Sequence, residues 1–77
     1  MKQSQFEQRH QDEWQRFDAR LDVLERSRGR SESGDDFTRD YRQICQHLAL
    51  AQARGYSSHL VDPLQQLAMR GHQQLYR

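Results

Sequence analysis

The sequence predicts an all-α domain of three helices, with a long first helix packed on an αα-hairpin formed by the other two. Three observations carry this. Apolar residues recur at helical spacing through most of the chain. Two segments break the recurrence, Gly29-Arg30-Ser31-Glu32-Ser33-Gly34 and Gly55-Tyr56-Ser57-Ser58. At 77 residues, with 34% hydrophobic and 30% charged content, the chain makes one small domain over residues 1–77.

The first helix is expected over about residues 4–28. Phe6, His10, Trp14, Phe17, Leu21 and Leu24 follow one another at spacings of four, four, three, four and three. At about 100° per residue they fall in a stripe roughly 80° wide, which is the apolar face of an amphipathic helix. Glu7, Arg9, Asp12, Arg16, Asp18 and Arg20 mix both signs on the outer face, and Val23 lies off the stripe. Residues 29–34 contain two glycines, two serines and no apolar residue, which is loop composition.

The second helix is expected over about residues 35–54. Asp35 or Asp36 suits its N-terminus, because a carboxylate accepts from the free N–H groups there and faces the positive end of the dipole. Phe37, Tyr41, Ile44, Cys45, Leu48 and Ala51 make one face, with Leu50 on the opposite side. Gly55 is the expected stop, since glycine tolerates the left-handed conformation of a C-cap, and Arg54 stands at the negative end of the dipole.

After a turn over 55–57, the third helix is expected over about residues 58–76. A cap at Ser57 leaves Pro63 inside the helix, unable to donate to the carbonyl of His59. The alternative start uses Asp62 as the cap and Pro63 as the first helical residue. The earlier start, with a slight bend, is favoured. Leu60, Leu64, Leu67, Ala68, Gly71 and Leu75 form one stripe, while Met69, His72 and Tyr76 lie well away from it. The helix is therefore apolar on two sides. Gly71 costs about 1 kcal/mol relative to Ala in a helix interior and permits close approach of another element.

A domain of this size buries only about 60% of the surface its unfolded chain exposes, so its core is thin. One cysteine, Cys45, cannot close an intramolecular disulfide, which fits a reducing compartment. Self-association or a partner is the expected supplement to the core. A twin chain gives a dimer, and the 29–34 loop also permits a helix swap between chains. The net charge of +1 supplies little long-range attraction to nucleic acid or acidic lipid. No run approaches the roughly 18 apolar residues of a membrane span. The start, MKQSQFEQRHQDEW, lacks the apolar region of a signal peptide, so a cytoplasmic location is expected.

Catalytic constellations fail on spacing. Cys45 and His47 are two apart and point about 160° from each other on a helix, which excludes a nucleophile–base pair. Glu7 and His10 have the Glu-x-x-His spacing of di-iron bundles, but those need a second such motif and two further Glu residues. His10 reads instead as a packed histidine beside Trp14, and His59 and His72 as surface or boundary residues. No phosphate-binding, dinucleotide or C-x-x-C motif is present. No enzyme activity, catalytic residue, cofactor, metal ligand or small-molecule substrate is expected. The basic run Arg26-Ser27-Arg28-Gly29-Arg30 is flanked by Glu25, Glu32, Asp35 and Asp36 and reads as a solvated helix end, so nucleic-acid binding is a minor alternative.

The expected function is protein–protein interaction. Val23, Leu50, Met69, His72 and Tyr76 are the candidate interface, facing a twin chain, a cytosolic protein or a following segment. The runner-up is a free-standing helical adaptor or a weak nucleic-acid-binding protein.

The blocks FEQRHQDEWQRFDARLDVLE and DFTRDYRQICQHLALAQARGYSSHLVDPLQQLAMRGHQQLYR resemble the N-terminal region of bacterial stage II sporulation protein M-like membrane proteins. The aromatic-rich R-H-x-x-x-W helix, the Y-R-x-x-C-x-x-L-A-L-A-x-A-R-G-Y-S block and the closing H-Q-x-L-Y-R carry the resemblance. It implies a cytosolic helical domain that precedes several membrane-spanning helices, on the cytoplasmic side of the inner membrane. It implies no catalytic residue. The chain departs from that pattern by reaching Tyr76-Arg77 before any membrane segment, and by having Ser57-Ser58 where Ser-Pro is expected. An excised domain and a short relative both fit.

Overall fold

The break at Gly55 is built as a Schellman cap. Gly55 has φ +67°, in the left-handed region that glycine enters without a Cβ penalty. The Tyr56 N–H donates to the Ala51 carbonyl at 3.0 Å, and the Gly55 N–H to that of Gln52 at 3.1 Å. This reciprocal pair satisfies two of the carbonyls that a helix end leaves free.

The computed structural model describes residues 3–26 and 35–76. Three helices make up the all-α fold: α1 (Gln3–Arg26), α2 (Asp35–Ala53) and α3 (Ser58–Leu75). The last two residues expected for the first helix, the 29–34 loop and most of the basic run from Arg26 to Arg30 lie outside the described residues. The cap assigns Arg54 to the position after the last helical residue, so α2 ends at Ala53, one residue short of the expected end. Likewise Tyr76 is the C-cap of α3, with φ −121°, and its N–H donates to the His72 carbonyl.

Helix α3 begins directly after Ser57, so Pro63 lies inside it. The carbonyl that loses its bond belongs to His59, an exposed residue of the first turn, where water can replace the missing donor. Ser57 occupies the N-cap position but its side chain makes no capping bond. Its hydroxyl accepts from Gln3 Nε2 at 2.8 Å, and its N–H donates to Gln3 Oε1 at 2.9 Å. One glutamine at the start of α1 thus binds the hairpin turn twice.

Phe6, Phe17, Leu21 and Leu24 from α1 meet Phe37, Ile44 and Ala51 from α2 and Leu60, Leu64 and Leu67 from α3 in a single buried core. Trp14, Tyr41 and Leu48, all on predicted apolar stripes, are only partly buried and pack against its edge. Cys45 is half-buried rather than central. The hairpin helices share the most extensive contact, while α1 lies chiefly along α3 and touches α2 least.

Gly71 explains how the three helices come so close. A Cβ there would stand 2.7 Å from Tyr41 Cδ1 and 3.1 Å from Phe17 Cζ, so both rings occupy the space that glycine leaves. The cost of glycine in the helix is offset by burying two aromatic faces. One residue away, about 100° round the helix, Arg70 reaches α1 and donates to Asp18 at 2.6 Å, Asp22 at 2.8 Å and both oxygens of Glu25 at 2.9 Å. Arg70 is partly buried, and its hydrogen bond holds the Glu25 carboxyl below the usual carboxylate range. A guanidinium whose fork grips carboxylates at i, i+4 and i+7 fixes the register of α1 on α3.

Candidate functional site

Polar side chains converge where the N-terminal half of α1 crosses α2. His10 and Glu13 lie one turn apart on α1, with His10 Nδ1 3.4 Å from Glu13 Oε1. His47, from α2, stacks obliquely on His10, their ring centroids 4.0 Å apart and tilted by 39°. His47 is only 5% exposed and is the one polar residue buried in the core among the described residues. Around it stand the Phe6 ring at 5.7 Å and the Trp14 ring at 5.8 Å.

The protonation of His47 follows from one contact. Trp14 Nε1 lies 2.8 Å from His47 Nδ1, and an indole nitrogen only donates. His47 Nδ1 must therefore accept, which leaves the neutral ring with its hydrogen on Nε2. Burial, together with the neighbouring His10, pushes the His47 pKa below its ordinary 6.5, and Glu13 opposes this in part.

A pH dependence of stability follows for the metal-free protein. Above 6.5 the ring is neutral in both folded and unfolded chains. As the pH falls through that value the unfolded chain takes up the proton first, so stability is lost, at a slope of up to about 1.4 kcal/mol per pH unit. His47→Gln retains an acceptor for Trp14 without a titrating group. Thermal melts between pH 7.5 and 5 should therefore fall more steeply for the wild type than for this variant. Equal slopes would contradict the assignment.

The spacing of Glu7 and His10 leads elsewhere than a bundle metal site. Glu7 faces His59 at 3.6 Å, and His10 pairs with Glu13 instead. Cys45 and His47 point apart, while the Tyr41 hydroxyl is 3.5 Å from His72 Nδ1. Burial and the neighbouring Cys45 raise the Tyr41 pKa. Of the candidate interface residues, Val23, Met69 and Tyr76 are 59%, 51% and 68% exposed, and Leu50 is 37% exposed. His72 is also exposed, its ring 4.6 Å from that of Tyr76.

The model of a family described as Domain of unknown function (DUF8413) matches residues 4–77. No curated protein and no solved structure matches. No helix among the described residues is long and apolar enough to cross a membrane.

Proposed function

The chain belongs to the DUF8413 family of domains of unknown function, and on that premise we propose that it is a non-catalytic protein-interaction domain. The observation that carries this reading is the second apolar face of α3. Met69 and His72 on α3 and Tyr76 at its C-cap are spaced by three and four, as in the seam of a coiled coil, and all three are exposed while the other face of the helix is already buried in the core. A seam one residue wide suits a single helix laid along it. A second copy of the chain supplies that helix with no further component, and an isologous contact of α3 on α3 makes a dimer of a domain with a thin core.

Met69→Glu combined with Tyr76→Glu places two charges on the seam and none in the core. The wild type should have the solution mass of a dimer and the double variant that of a monomer, with the same helix content. A wild type that is monomeric at every concentration tested would defeat the twin-chain contact.

The resemblance to the N-terminal region of stage II sporulation protein M-like proteins supports a second setting for the same face, beside a membrane region of a longer protein on the cytoplasmic side. Sequencing the gene beyond Arg77 tests it. Several apolar runs of about 20 residues are expected there, and a stop codon directly after Arg77 would exclude this parent.

A further inference from the structure

We propose that His10, Glu13 and His47 form a binding site for Zn²⁺ that bridges α1 and α2. The donor atoms of the three residues all lie within 4.8 Å of one another. Between His10 Nδ1 and Glu13 Oε1 the separation is 3.4 Å, which is the edge of a tetrahedron around an ion with bonds of about 2.0–2.1 Å. The third donor, from α2, completes the set by closing on this edge. Two imidazoles and one carboxylate are a ligand set for zinc, whereas magnesium and calcium take oxygen donors.

The surroundings suit an ion as well. Phe6 and Trp14 shield the inner side of the cluster, which strengthens charge interactions within it. With three protein ligands, a fourth position remains for water or for a donor from a partner. The site also lies where α1 and α2 have the least contact, so the ion adds a link at the weakest junction of the fold.

Trp14 makes the event visible. A neutral imidazole has one free lone pair, and in His47 that pair, on Nδ1, accepts from the Trp14 indole. An ion takes this lone pair directly, or binds Nε2 after the ring hydrogen has moved to Nδ1. Both routes break the indole bond, and Trp14 is the single tryptophan of the chain.

The test is a titration of the chelator-treated full chain with Zn²⁺, and with Mg²⁺ in parallel, reading Trp14 fluorescence and the melting temperature. Zinc should change the fluorescence with one-to-one stoichiometry and raise the melting temperature, and magnesium should do neither. Glu13→Gln and His10→Gln, whose folding is checked by circular dichroism, should each weaken zinc binding at least about tenfold. His59→Gln, which removes the exposed pair with Glu7, should leave it unchanged. No zinc response in the wild type would overturn the proposal. So would a response that persists in Glu13→Gln and His10→Gln, or one that is lost in His59→Gln.

Discussion

Phe6→Ala should lower the melting temperature by on the order of 20 °C, the largest effect expected of any single truncation in the chain. Phe6 is 1% exposed and stands among four rings, His10, Trp14, His47 and Tyr56, with centroids 5.1–5.7 Å away. Removing a buried phenyl costs about 3–5 kcal/mol, the transfer term plus the cavity left behind. A domain of this size has about 4–12 kcal/mol in total, at about 0.05–0.15 kcal/mol per residue. The loss also reaches beyond α1, because Phe6 holds the start of α1 against both His47 of α2 and Tyr56 of the turn. Thermal melts followed by circular dichroism measure it, with Phe6→Leu as the milder comparison. A shift of only a few degrees in Phe6→Ala would mean that the aromatic cluster does not hold α1 in place.

Gly71→Val should come next, and here the sign is set by space rather than by propensity. Alanine at this position gains about 1 kcal/mol of helix propensity. Against that, its Cβ must displace the Tyr41 ring from 2.7 Å and the Phe17 ring from 3.1 Å, and overpacking of this kind costs about 1–3 kcal/mol. Phe17 is 2% exposed and stacked on Phe37 at 5.2 Å, so it has little room to yield. Valine adds two methyl groups to the same gap with less of the propensity gain, for a net cost at or above the upper end of that range. Melting temperatures should fall in the order Gly, Ala, Val. An alanine variant more stable than the wild type would show that the two rings move aside freely.

Much of this packing is legible in the sequence. The spacing of Phe6, Phe17, Leu21 and Leu24 identifies the buried face of α1, and Gly55 marks the end of α2. Gly71 stands out in the sequence as a cost in need of an explanation, and only the fold supplies it, since the two rings come from Phe17 and Tyr41, on other helices. His47 shows why the candidate site was harder to read. At about 100° per residue it falls about 40° from Ala51, on the flank of the α2 stripe. Which flank faces α1 depends on how the helices are arranged, and spacing within one helix carries no information on that. Glu7-x-x-His10 lacks the second motif that a di-iron bundle needs, and the residues that join His10 are instead Glu13 on its own helix and His47 across the interface. The acid row Asp18, Asp22 and Glu25 has the helical spacing of a ridge, but its meaning depends on Arg70, which is distant in sequence.

Two of the bonds that fasten α1 to the hairpin are of unlike chemistry, one at the middle of the helix and one along its C-terminal half. At the first, a neutral imidazole must accept from Trp14, so acid loosens it and salt leaves it largely alone. At the second, one guanidinium faces three carboxylates that are about a third to a half exposed, so salt weakens it. Acid and added salt therefore act on different bonds along the same helix.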